Sequence, residues 1–241
     1  DKIYFHNFLT GMRTGKDITL EQLSLGLCTP AMLSLIEADK RQPDKLTRDR
    51  LTERLGFEND GFEDFLQPDE YEQWQNRDRL LRAVDAGDIP EAERLLGLLE
   101  QETSEDSIVF LQFVLTMRAQ LMQYKEASRE ELREAFGRAM SLTVPDVASG
   151  TWAGRLLAAQ EWNLLLEYIR HGGDAGPVTE PEPSGTYTAR ALEKLLDALR
   201  GSSMDGYSYA KVYPKAAYFL CLELMKAPLD SALCRRILRI S

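Results

Sequence analysis

Apolar residues recur at three- and four-residue intervals along most of the chain, as in Leu80, Leu81 and Val84 or Leu192, Leu195, Leu196 and Leu199, and nowhere sustain a period of two. That spacing lines one side of a 3.6-residue helix, so the pattern predicts an all-α chain. Within residues 1–66 the elements are short. A first helix runs from Lys2 to Arg13, with Ile3, Phe5, Phe8, Leu9 and Met12 on its apolar face. Thr19 with Gln22 three residues later has capping-box spacing and opens a helix over Leu20–Leu25, after which Gly26 permits a sharp turn. Thr29 caps a third helix, Pro30 to Ala38, whose first position suits a residue without an N–H. Pro43 and Asp44 open a fourth, Lys45–Leu55, ended by Gly56, and Gly61–Leu66 adds a fifth short turn. Leu23, Leu27, Leu33, Ile36, Leu51 and Leu55 are the expected core of this five-helix unit.

Beyond Pro68 the helices lengthen and come as hairpins, expected at 69–86, 89–101, 105–124, 128–142, 151–171, 186–200, 206–226 and 229–240. Paired in order they make four antiparallel hairpins starting near 69, 105, 151 and 206. The unequal steps exclude a regular tetratricopeptide array, whose period is about 34 residues. Local pieces still resemble one: Ala86 to Leu96 looks like a tetratricopeptide turn entering its second helix, and Lys226 to Leu233 like a variant of it. The polar, proline-bearing stretch Gly172–Gly185 reads as a long loop.

Composition narrows the chemistry. The 241 residues carry a net charge of −10, which as an average argues against a polyanion partner. Residues 1–56 hold nine Lys and Arg against eight Asp and Glu, a net of +1, with six of the basic residues between Lys40 and Arg54; residues 57–241 therefore carry −11. Cys28, Cys221 and Cys234 form no C-x-x-C pair, and the two histidines, His6 and His171, lie far apart. Reduced thiols in a cytoplasmic protein are the expectation, with no metal and no cofactor. Nucleophile-elbow, zincin, phosphate-loop and dinucleotide motifs are missing from the sequence, and carboxylate pairs such as Glu130/Glu131 or Glu91/Glu93 read as solvated helix faces, so no enzyme is expected. The richest apolar stretch, Ile108–Leu115, is far below the ~20 residues of a membrane span. A start at Asp1 and a helical pattern that looks unfinished at the end suggest a piece of a longer protein.

The run from Thr19 through Gly26-Leu27-Cys28-Thr29 to Ile36-Glu37, followed by Lys40-Arg41-Gln42-Pro43, resembles the helix-turn-helix of lambda-repressor-like (Xre) regulators. More narrowly it looks like the Rgg/PlcR-type (RRNPP) peptide-sensing transcriptional regulators of Firmicutes, which join such a domain to a tetratricopeptide-like array. Glu161–Tyr168 and Tyr213–Leu220 also look like segments of clostridial members. The resemblance implies a helix-turn-helix DNA-binding domain over 1–66 and, over 69–241, helical repeats for dimerisation and peptide sensing. Its partners would be a double-stranded DNA operator, a short regulatory peptide used in quorum sensing and a second copy of the chain, with no membrane.

On this mapping Thr29, Pro30, Ala31, Met32 and Ser34 face the major groove, and Lys40, Arg41 and Lys45 meet phosphates. Pro30, Ala31, Met32 and Leu35 depart from the polar residues usual there, which implies few base hydrogen bonds and readout weighted toward shape. Peptide donors would come from Gln112, Arg118, Gln120, Arg155, Asn163, Tyr168, Arg170, Tyr213 and Tyr218, and the acidic array favours a neutral or basic peptide. Glu37 is expected to be a structural ion-pair or capping residue, and Trp74, Trp152 and Trp162 to pack in cores. The competing reading is an interaction scaffold whose degenerate helix-turn-helix docks a protein.

Overall fold

The computed structural model describes residues 4–57, 68–103, 107–145, 147–150, 152–173, 186–202 and 204–226, and every regular element among them is helical. The chain has an all-α fold. In the first segment α1 (Phe5–Gly15) is followed by α2 (Leu20–Ser24), α3 (Pro30–Glu37) and α4 (Lys45–Arg54), and these three start at the caps read from sequence. Thr19 and Gln22 satisfy each other's backbone N–H, Thr29 accepts from Met32 N, and Asp44 accepts from Thr47 N. The expected core residues Leu23, Leu27, Leu33, Ile36, Leu51 and Leu55 are all buried with Leu9. A bidentate ion pair from Arg13 to Glu37, 2.6 and 2.8 Å, ties α1 to the end of α3, the structural role expected of Glu37.

The hairpins continue as α5 (Pro68–Asp85), α6 (Ile89–Gln101), α7 (Ile108–Tyr124), α8 (Arg129–Ser141), α9 (Ala159–Arg170), α10 (Thr186–Arg200) and α11 (Gly206–Leu224), with a 3-10 turn at Val147–Ser149 between α8 and α9. α5 packs on α6, α7 on α8, α8 on α9 and α10 on α11. One core lies under α5–α7, and a larger one runs from α8 to α11. Asp88 and Ser128 cap α6 and α8 through Glu91 N and Glu131 N. Such caps supply acceptors to otherwise orphaned helix N–H groups.

Three expectations need correction. The helix placed at 151–171 begins at Ala159, because Gly150 and Gly154 have φ of +67° and +92° and Glu161 caps the later start by accepting from Ala158 N at 2.9 Å. Trp152 and Trp162 are buried and meet edge to face at 6.2 Å, but Trp74 is 43% exposed and stacks on exposed Tyr71 rather than entering a core. The first helix begins at Phe5. The expected turn at Gly61–Leu66, the helix at 229–240 and most of the loop Gly172–Gly185 fall outside the described residues.

The first four helices do not stand apart from the hairpins. Their core takes in Val109 of α7, with Leu156 packed against it, and α4 lies on α7. At this junction Arg54 and Arg50, 2% and 3% exposed, meet the fully buried Glu161 of α9. Arg54 holds both Glu161 oxygens at 2.6 and 3.0 Å and donates to the carbonyls of Leu23, Leu25 and Thr143. Arg50 donates to Gln112 and Gln160 at 2.6 and 2.9 Å. Gly26, at φ +74°, brings the α2–α3 turn against the Thr143 backbone, where a Cβ would stand 2.1 Å from the carbonyl oxygen.

Candidate functional site

Two surfaces gather part of the residues singled out by sequence. The first is the outer face of α3. Leu33 and Ile36 point into the core, so the 3.6-residue turn leaves Pro30, Ala31, Ser34, Leu35 and Ala38 exposed, with Met32 half-buried at the edge. Thr29 spends its hydroxyl on the cap. Lys40 and Arg41 follow on the exposed turn after α3. Lys45 does not match them: its ammonium is engaged by Asp49 one turn along α4, at 2.9 and 3.1 Å. The cation supply is therefore smaller than the six basic residues between Lys40 and Arg54 suggest. Arg50 and Arg54 are buried in the junction, Arg48 lies over the Phe5 ring, and Lys40 and Arg41 are the two of the six that are exposed. The face is a small apolar strip with two cations at one end.

The second surface is a groove of about 440 Å³ between α5, α7, α9 and α11, within the ~300–1,000 Å³ usual for ligand pockets. Leu81, Phe113, Met117, Phe136 and Leu164 supply its apolar walls. Gln112, Gln120, Gln160 and Asn163 supply amides, and Arg77, Lys211, Lys215 and Glu167 supply charge. Three of the nine residues expected to hold a peptide thus line one groove: Gln112, Gln120 and Asn163. Gln112 is buried, and its amide already serves Arg50, Ala139 O and Thr143 Oγ1.

The other six lie elsewhere. Arg118 pairs with Glu100, Arg155 donates to Pro145 O, and Arg170 pairs with Glu167 and covers the Phe219 ring. Tyr213 accepts from Arg200, Tyr218 is exposed, and the Tyr168 ring fills the space left by Gly137 and Gly173. Arg77, Lys211, Lys215 and Gln160 were not anticipated from sequence. Each is an ordinary polar residue on a long helix, and only the packing of separate helices brings them together.

The groove's charge opposes the chain's average. Three cations against one carboxylate give a lining of +2, so the expectation of a neutral or basic ligand drawn from the −11 outside the first 56 residues does not carry over to the groove. Burial pushes Arg77 down to about 10. Glu167 is held below the usual carboxylate range: burial acts to raise it, but Lys215 at 2.8 Å, Arg170 and Gln123 outweigh this. Next to the groove, burial lifts Glu53 to about 7 against the opposing effect of Arg50. At the junction the same competition ends the other way. Burial would raise Glu161, yet the adjacent Arg54 and Arg50 guanidiniums bring it down to about 2. Among the described residues no His, Cys, Asp and Glu cluster is placed to hold a metal ion, and no helix is long and apolar enough to cross a membrane.

No protein-family model and no curated protein matches the chain. Among solved structures it is similar to PlcR of Bacillus thuringiensis, in a crystal structure with the peptide PapR7 and DNA. The identity is 15%, over 92% of this chain and 78% of that one, with a TM-score of 0.39. A likeness that remote transfers no residue role.

Proposed function

We propose that the chain is a DNA-binding transcriptional regulator of the cytoplasm, acting as a homodimer, whose hairpin array binds a short regulatory peptide. The observation that carries the reading is the exposed outer face of α3. A capped helix follows a tight turn from α2, buries Leu33 and Ile36, and leaves a low-relief strip of Pro30, Ala31 and Ser34 from its start to its middle. Side chains this small let a helix approach base edges, and Pro and Ala can meet thymine methyls. Lys40 and Arg41 would take phosphates. Residues 1–66 form the DNA-binding part in this reading, and residues 69–241 the dimerising and sensing part. In a dimer the two α3 helices would read half-sites about 34–36 Å apart, or a multiple of that.

Support for the sensing role is the groove, with apolar walls and amides able to pair with an extended backbone. Gln112 and Gln160 line it and also hold Arg50 of α4, so a ligand that competes for those amides acts directly on the seating of the first four helices. Such a ligand shifts the equilibrium only by its differential affinity for the two seatings.

The alternative, a protein-docking scaffold, is favoured by the apolar character of Pro30, Ala31 and exposed Leu35 and by the scarcity of exposed cations. Binding of the full chain to a randomised duplex pool over a salt series separates the two. With Lys40 and Arg41 on both subunits, log K should fall with log salt at a slope of about −4. A chain that binds no duplex at low salt is not this regulator.

A further inference from the structure

We infer that the groove recognises an anionic group on its ligand, a peptide's terminal carboxylate or an acidic side chain, seated against Arg77 with Lys211 and Lys215 beside it. The inference rests on reading the groove as a peptide site and adds the chemistry of what enters it.

Arg77 is the reason. Its guanidinium lies 4.5 Å from the Phe113 ring centroid, and its Nε is buried with no hydrogen-bond partner among the described residues. A guanidinium offers five N–H donors in a planar fork, and a buried donor without an acceptor forfeits its hydration with no return. Among the described residues the most deeply buried arginines, Arg54 and Arg50, share Glu161, and half-buried Arg13 has Glu37; Arg48, whose Nε is also buried, lies over the Phe5 ring and does not line the groove. The carboxylates that act on Arg77 do so only across space: Asp49 is held by Lys45, Asp44 caps α4 through Thr47 N and Oγ1, and Glu53 is lifted to about 7 by burial. None supplies the fork-to-fork partner that planar arginine takes best.

Lys211 and Lys215, one turn apart on α11, line the same groove, and its one lining carboxylate among the described residues, Glu167, is engaged by Lys215 and Arg170. An entering carboxylate would therefore meet the Arg77 Nε–H in a partly desolvated setting, where such pairing counts for more than in water, with the ammonium of Lys211, 3.6 Å from the Tyr207 ring centroid, and that of Lys215 adding positive charge. Leu81 and Met117 on the walls, with amides from Gln120 and Asn163, suit a peptide better than a bare inorganic anion.

Two matched pairs of acetylated hexapeptide pools test this by calorimetry on the full chain. In the first pair, pools of neutral residues end in a free carboxylate or in an amide. In the second, amidated pools carry one fixed Asp or one fixed Asn. The anionic member of at least one pair should bind tenfold or more tightly, and which pair discriminates identifies terminal carboxylate or side chain as the source. Arg77→Gln should abolish the preference and Lys211→Gln, at an exposed position on α11, should reduce it. In nitrogen-15 spectra the anionic pool should also shift the Arg77 Nε–H signal, assigned by its loss in Arg77→Gln. Equal binding within both pairs, a preference for the amide members, binding by no pool, or full discrimination in a folded Arg77→Gln protein overturns the inference. Duplex binding is scored separately: DNA binding without anion preference sinks this inference alone, and anion preference without DNA binding sinks the regulator reading alone.

Discussion

Replacing Glu161 with Gln isolates the electrostatics of the junction. Gln keeps the shape and an acceptor oxygen for Ala158 N, so the α9 cap survives while the charge is lost. Arg54 and Arg50, 2% and 3% exposed, are then left buried without their counter-ion. Removing one member of a buried pair typically costs about 3–5 kcal/mol, because the remaining charge is stranded. A carboxyl brought from its ordinary 4.5 to about 2 gives a similar size, about 3 kcal/mol, once the protein is above pH 4.5. That contribution is lost as pH falls from 4.5 toward 2.

Against a total stability of about 5–15 kcal/mol the loss is large. With a urea m-value of about 2–3 kcal/mol/M, the midpoint at pH 7 should fall by roughly 1–2 M. Far-ultraviolet circular dichroism and the fluorescence of Trp152 and Trp162 should report the same shift, since Trp162 neighbours Glu161. Pairing Glu161→Leu with Arg54→Met should recover part of the loss, because two apolar groups leave one fewer buried charge. An unfolding free energy for Glu161→Gln within ~0.5 kcal/mol of the parent, with unchanged helical content, would refute the claim that this ion pair is buried and holds the first four helices to the array.

Gly26→Ala combines a φ of +74° with a Cβ 2.1 Å from the Thr143 carbonyl oxygen, so it should cost about 2 kcal/mol or more by thermal melting and expose the α2–α3 turn to limited proteolysis. Gly11→Ala, on the exposed side of α1 with nothing within 4 Å, should instead stabilise by about 0.5–1 kcal/mol; equal effects at the two glycines would contradict the close approach at Gly26. Glu53, raised by burial from 4.5 to about 7, binds its proton more tightly folded than unfolded, so stability is fullest below pH 4.5 and is lost as pH rises through 7. Glu53→Gln should flatten that loss and gain about 1–3 kcal/mol at pH 8, read from melting temperatures between pH 5 and 8, and a parallel pH dependence in parent and variant would refute it.

Helix caps made much of the fold legible. Thr19, Thr29 and Asp44 announced α2, α3 and α4 because their signals are local, and α6 and α10 fall where the apolar spacing placed them. The start of α9 was hidden because its N-cap, Ala158, is not a capping residue, while Trp152, Leu156 and Leu157 continue a helical spacing across Gly154. Arg50 and Arg54 looked like a cationic helix face. Their partner, Glu161, is 107 residues beyond Arg54, and nothing in local spacing points to it. The amides Gln112, Gln120 and Asn163 were chosen for their chemistry and meet in the groove, whereas the arginine and lysines that set its charge sit one or two to a helix among many surface cations.

A regulator of this design must meet DNA with the outer face of α3. Duplex affinity of the full chain, measured beside Ser34→Glu over one salt series, tests this most directly, since Ser34 is exposed in the middle of that face. The parent should bind with a slope near −4, and the added carboxylate, carried into the major groove of a polyanion, should weaken binding at least tenfold at roughly 0.1 M salt with the melting temperature unchanged. A parent with no salt-dependent duplex binding, or a Ser34→Glu protein that binds as tightly as the parent, would contradict the central claim.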